Sequence, residues 1–297
     1  MKPAAFEYHR PDTIDDAVGL LAELGDLGDG AKILAGGQSL VPMLAMRLAY
    51  FAHLIDISRL PELRGIERRG SELWIGAGTT EATVGADEQV RQAVPLLTRA
   101  TPFVGHFQIR NRGTLGGSIA HADAAGEYPA VALTLDAVME VVSPRGRREI
   151  AAADFFAGVW ETTMDSDEVL TGVRFPVWDG RSGFAVEEFS RRHGDFAIAG
   201  ALVAVQLDEQ DRVSRCAVGL LGMGSTVRRA TAAEVAAVGR PVGELVPEEI
   251  GEAAMSGLDD IPSDLQGSAS YRLKVGATMA TRAWTQAIAE AMGASNA

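Results

Sequence analysis

Two pairs of adjacent glycines, each followed by a small hydroxyl residue, constrain this chain more than any other feature. Gly36-Gly37 lies in Leu34-Ala35-Gly36-Gly37-Gln38-Ser39-Leu40, and Gly116-Gly117 lies in Arg112-Gly113-Thr114-Leu115-Gly116-Gly117-Ser118. Each pair closes an apolar, strand-like run. Glycine lets a backbone approach a ligand closely and present successive N–H groups. Two such loops from distant parts of a chain could clamp the two phosphates of a dinucleotide. In isolation, either pair reads equally well as a tight turn, since the chain has 33 glycines. Position favours the first. It follows a buried strand and precedes a helix pattern over 40–48, with Pro42 in the first turn, where proline is tolerated. Its N–H groups and the positive helix end then face an anion, with Gln38 and Ser39 as side-chain donors. The spacing matches neither a P-loop, which needs a following Lys-Ser/Thr, nor the Gly-x-Gly-x-x-Gly of a nicotinamide-binding unit.

The remaining composition excludes several classes. At 297 residues the chain is long enough for two cores, and a net charge of -13 opposes nucleic-acid phosphates. Cys216 is the single cysteine, so the chain has no internal disulfide and cannot hold an iron–sulfur cluster, which needs about four thiolates. Met1–Arg10 lacks the apolar core of a signal peptide, and 40–57 carries Pro42, Arg47, His53 and Asp56, unlike a membrane span. A cytoplasmic protein is expected.

Periodicity predicts strand–helix–strand–helix–strand over the first 57 residues, with Thr13 and Asp16 starting the first helix. A hairpin is expected over 63–78, turning near Arg69-Gly70. Helical patterning follows over 80–100, and an apolar helix over 129–135. A second hairpin crosses Pro144-Arg145-Gly146, and 168–176 is a strand closed by Pro176. The polar stretch 177–183 marks a boundary. Beyond it, 184–190, 197–207 and 213–222 read as an antiparallel meander, followed by helices at 228–238, 247–256 and 271–292. The fold class is α+β, with domains at 1–177 (parts 1–57 and 58–177) and 178–297.

After the second glycine pair come His121, Asp123, Glu127 and Tyr128. A carboxylate there could accept from ribityl or ribose hydroxyls. Asp123 reads equally as a helix cap and His121 as a structural histidine. With these residues, "YHRP", "AKILAGGQSLVPML", "HLIDI" and "QIRNRGTLGGSIAHADAAGEYPAV" resemble the FAD-binding medium subunit of bacterial molybdenum hydroxylases, the family of xanthine and carbon monoxide dehydrogenase flavoproteins. The resemblance continues through "EVLTGVRFP", "SRRHGDFAIAGALVAV" and "GSASYRLKVGATMATRAW", and so covers nearly the whole chain.

The resemblance implies a two-part FAD-binding domain of the vanillyl-alcohol oxidase (PCMH) type and a smaller C-terminal domain of antiparallel sheet with helices. It implies noncovalent FAD, with the pyrophosphate wrapped by Ala35, Gly36, Gly37, Gln38 and Ser39 and flanked by Ile33, Leu34 and Leu40. Thr114, Gly116, Gly117 and Ser118 serve from the second loop. Glu127 matches a carboxylate position where Asp is more usual, and Asp123 another polar contact. Val104 matches an apolar flavin contact, Leu170 a residue whose backbone lies by the isoalloxazine, and Phe196 an aromatic covering one flavin face. No residue reads as a nucleophile or general base, which suits a carrier whose chemistry belongs to its cofactor.

The function so implied is electron transfer. Electrons from iron–sulfur clusters in a small subunit would pass through FAD to an external acceptor. A molybdenum cofactor in a large subunit would hydroxylate the substrate, in a cytoplasmic heterohexamer. Two alternatives stand beside it: a free-standing FAD-dependent oxidoreductase of the vanillyl-alcohol oxidase type, and a noncatalytic assembly module that has lost flavin.

Overall fold

The computed structural model describes residues 2–26 and 30–293. It opens with a small parallel sheet in which Glu7–His9 and Ala31–Leu34 flank His53–Asp56. The helix Ile14–Asp26 covers one face, because Ile14, Ala17, Val18, Leu21 and Leu24 recur at helical spacing and pack on Ile55 and Ile57. Thr13 starts this helix: its hydroxyl accepts from the Asp16 amide at 3.1 Å and donates to the Asp16 carboxylate at 2.7 Å. The strand–helix–strand–helix–strand order expected here is the one observed, with the second helix confined to Leu40–Ala45.

A five-stranded antiparallel sheet follows, in the spatial order Ile66–Arg69, Glu72–Gly76, Val169–Pro176, Val138–Ser143 and Gly146–Ala151. Both expected hairpins are its outer pairs. Val169–Pro176 enters between them, a placement only long-range pairing could decide. The helical patterning over 80–100 resolves into three short helices, Glu81–Ala86, Glu88–Ala93 and Pro95–Ala100. Asp87 caps the second by accepting from the Val90 amide, and Pro95 begins the third.

The C-terminal meander is Ser182–Phe189, Ala199–Leu207 and Val213–Leu221, extended by the short strand Arg228–Arg229. Its central strand is buried on both faces. Leu202 and Ala204 join a core that continues to Leu73, Tyr128 and Phe175, while Ala201, Val203 and Val205 pack toward Trp284 and Ile250. A period of two thus divides one strand between two cores. Helices Pro247–Ala254 and Ala269–Ala291 cover the outer face. Arg99 and Glu290 form a two-pronged ion pair at 2.6 and 2.7 Å, tying the short helices to the end of the last long one. Arg272, almost fully buried in that helix, donates to the carbonyls of Ile198 and Gly222 and to both oxygens of Asp264. No helix among the described residues is long and apolar enough to cross a membrane.

Candidate flavin site

The first glycine turn leaves Ala31–Leu34 at the carboxyl end of the parallel sheet, where open α/β sheets bind ligands. Ile33 and Leu34 are half-buried in the strand, Ala35–Ser39 form the turn, and Leu40 begins the next helix. The amides of Gly36, Gly37, Gln38 and Ser39 donate to no described residue. Four consecutive free donors on a half-buried turn form a cradle for an anion. Gly37 holds φ at +74°, a left-handed conformation that aims the following amides. The Gln38 side chain folds back and donates to the Gly36 carbonyl at 3.0 Å, so it braces the turn.

The second glycine pair lies against the first. A β-carbon at Gly36 would overlap the Arg112 carbonyl oxygen and stand 2.8 Å from Gly113 Cα. One at Gly117 would stand 3.6 Å from Ala35 Cβ. The chain between the two motifs therefore returns both to one place.

The second motif differs from its sequence expectation. No strand precedes it. The helix Phe107–Arg110 does, and Gly116-Gly117 sit in the first turn of a helix, Leu115–His121. Thr114 caps that helix by accepting from the Gly117 amide at 3.0 Å. The amides of Leu115, Gly116 and Ser118 donate to Thr79, Ala77 and Thr114 carbonyls. These bonds anchor the motif to the five-stranded sheet, and Ala77 in turn donates to Thr171, the neighbour of Leu170. A clamp made by amides of both loops is therefore not what the chain forms: the first turn has the free amides, while the second supplies backing and the half-buried Ser118.

Behind the second motif lies a cluster of buried acids. Glu127, in the first turn of Glu127–Thr134, is pushed up to about 7 by burial, with Asp123 adding to the effect. Glu81 is pushed up to about 8, chiefly by burial and then by the charge of Glu127, against the opposing pull of Arg110. Glu188 rises to about 8 for the same two reasons, burial and Glu127. Glu81 Oε2 and Glu188 Oε2 are buried without a hydrogen-bond partner among the described residues. The sequence reading missed Glu81, Glu188 and Arg110, because nothing local distinguishes a glutamate that tertiary packing will bury.

The other expected residues are distributed as follows. Val104 is buried, and Arg110 Nη1 donates to its carbonyl at 2.9 Å. Leu170 is buried at an irregularity between Val169–Pro176 and Val138–Ser143. Asp123 Oδ1 accepts from the Ala125 amide at 2.9 Å and Oδ2 from Trp160 Nε1 at 3.0 Å, so both oxygens have partners. Trp160, also unforeseen, stacks on His121 at 6.0 Å between ring centroids. Phe196 is 58% exposed and ends a turn whose Gly194 packs on Gly105 and His106, beside Val104.

The residues present suit a dinucleotide: a free-amide cradle, and partnerless carboxylates that could take hydroxyl donors. Comparison with known proteins decides which one. A family profile described as "FAD binding domain in molybdopterin dehydrogenase" matches residues 4–178, and one described as "CO dehydrogenase flavoprotein C-terminal domain" matches residues 184–287. The chain belongs to this flavoprotein family, the FAD-binding medium subunits of molybdenum hydroxylases. It is 41% identical to the 6-hydroxypseudooxynicotine dehydrogenase complex subunit alpha of Paenarthrobacter nicotinovorans, over 97% of this chain and 96% of that one. It is 36% identical to the carbon monoxide dehydrogenase medium chain of Hydrogenophaga pseudoflava, over 95% and 97%. A solved structure of carbon monoxide dehydrogenase from the same organism superposes with a TM-score of 0.93 at 38% identity, covering 98% of this chain and 99% of the other. Members of this family are oxidoreductase subunits and carry FAD. The family fold, a FAD-binding domain followed by a smaller α+β domain, is the one expected from the sequence.

Proposed function

We propose that this chain passes electrons from iron–sulfur clusters of a small partner subunit, through FAD, to an external acceptor. A large partner subunit would carry the molybdenum cofactor and hydroxylate the substrate, and a cytoplasmic heterohexamer is the assembly that fits. The observation that carries this reading is the run of four free amides at Gly36–Ser39, set against the second glycine motif. Bound FAD supplies one- and two-electron exchange, and the protein supplies position and electrostatics.

In this reading the amides of Gly36, Gly37, Gln38 and Ser39 hold the pyrophosphate, with Ala35 and the flanking Ile33, Leu34 and Leu40 shaping the turn. Thr114, Gly116 and Gly117 fix the second motif against it, and Ser118 donates a hydroxyl. Glu127 accepts from a sugar or ribityl hydroxyl, which would give a buried carboxylate a partner. Asp123 contributes by holding its loop, accepting from the Ala125 amide and from Trp160 Nε1. Val104 and Leu170 line the ring, and Phe196 covers one of its faces. Cys216 is buried, its thiol pushed up to about 12 by burial, so this chain presents no thiolate to a cluster.

The purified chain tests this directly. It should hold one FAD per protomer and oxidise no substrate by itself. Adding the two partner subunits should restore substrate-dependent bleaching of the flavin absorbance. A colourless chain that takes up no FAD, or one that turns over a small substrate unaided, refutes the proposal.

A further inference from the structure

A second constellation lies on the edge of the parallel sheet opposite Ala31–Leu34. Glu7 and His9 are two residues apart on one strand and so project from the same face. His53 is the register partner of Glu7 on the neighbouring strand and shares that face. His9 Nε2 and His53 Nδ1 stand 3.1 Å apart. Glu7 Oε2 is 3.6 Å from His53 Nδ1 and 4.0 Å from His9 Nε2. Three atoms with these separations lie on a circle of radius about 2.1 Å, the length of a zinc–nitrogen or zinc–oxygen bond. Among the described residues, no other group of three such side chains converges this closely.

An imidazole–imidazole hydrogen bond would account for the 3.1 Å contact alone. It would leave the Glu7 carboxylate beyond hydrogen-bond distance of both rings, with no other described cation near it. A cation at the centre satisfies all three. The side chains of His53 and His9 are 11% and 23% exposed, whereas Glu7 is 74% exposed. The sheet therefore fixes two ligands, and the third closes from the solvent side, leaving a coordination position for water. Two imidazoles and one carboxylate are a donor set of the divalent transition metals.

We infer that Glu7, His9 and His53 form a binding site for a divalent transition-metal ion of the zinc class, which clips the three-residue edge strand Glu7–His9 to His53–Asp56. The site is independent of the flavin. Glu7–His9 and Ala31–Leu34 pair with opposite edges of His53–Asp56, and the glycine turn follows Leu34. Two strand spacings, about 10 Å, therefore separate the strand that carries Glu7 and His9 from the one that leads into the turn.

The test uses the full-length, FAD-loaded chain, stripped of metal with a chelator and titrated with Zn2+ by calorimetry and with Co2+ by visible spectroscopy beyond the flavin band. One equivalent of Zn2+ should bind and raise the melting temperature. Co2+ should give visible ligand-field bands at longer wavelength than the flavin absorbance. His9→Gln and His53→Gln should each weaken Zn2+ binding roughly tenfold or more and abolish the bands, with flavin content unchanged. Glu7→Gln changes an exposed side chain, so it keeps the test decisive even if His53→Gln fails to fold. The inference is overturned if the wild type binds no Zn2+, or if His9→Gln and Glu7→Gln bind it as the wild type does.

Discussion

Gly36→Ala is the substitution that most directly probes the junction of the two glycine motifs. The added methyl would overlap the Arg112 carbonyl oxygen and lie 2.8 Å from Arg112 C and Gly113 Cα. Carbon–carbon contacts are normally about 3.5–4.0 Å, so one backbone must retreat by about 1 Å. Neither neighbour is a flexible side-chain end. Overpacking of this kind costs about 1–3 kcal/mol of stability. The effect on FAD should be larger. Hydrogen bonds to a charged group contribute about 1.5–3 kcal/mol each, and misdirecting two of the four amides would weaken binding by about 3–6 kcal/mol. That corresponds to a dissociation constant raised roughly 10²- to 10⁴-fold. Flavin absorbance per protein after gel filtration, and calorimetric titration of the flavin-free chain, would measure it. Gly19→Ala is the matched control: a methyl there meets nothing within 4 Å, so FAD binding should be unchanged. Gly36→Ala binding FAD within threefold of wild type would refute the placement of the pyrophosphate in this turn.

Two further outcomes follow from buried charges. Glu81 and Glu127 titrate near 8 and 7 in the folded chain, above the ordinary carboxylate range, chiefly because burial disfavours their charged forms. The folded state therefore holds protons that the unfolded chain has released. This stabilisation is complete below the unfolded value of about 4.5 and is lost as pH rises through 7–8. The melting temperature of the flavin-free chain should accordingly fall between pH 6 and 9, and Glu81→Gln should flatten that slope; an unaltered slope in the variant would contradict the assignment. Arg272→Met should destabilise the chain by about 2–4 kcal/mol in urea unfolding, since the buried carbonyls of Ile198 and Gly222 lose their donor. A loss below about 1 kcal/mol would show that water replaces it readily.

Local pattern made much of the architecture readable in advance. Thr13 with Asp16, the apolar run within 197–207, and the turns at Arg69-Gly70 and Pro144-Arg145-Gly146 each specify an element through interactions a few residues long. The first glycine motif was legible for the same reason: Gly37 needs a left-handed φ, and such a demand is met locally. The second was legible as a motif but not as a conformation. Its helix starts because Thr114 caps it, while the amides of Leu115 and Gly116 find Thr79 and Ala77, some 36 to 39 residues earlier in the chain.

The sequence by itself determined most of the elements, the family and the presence of the glycine motifs, because these rest on short-range backbone preferences and residue identity. Only the tertiary structure decided that Gly36 abuts Arg112, that Val169–Pro176 divides two hairpins, and that Glu81, Glu127 and Glu188 share one buried region. It also set His9 beside His53. Each of these depends on strand register or burial between segments tens of residues apart, where the chain's order carries no information about distance.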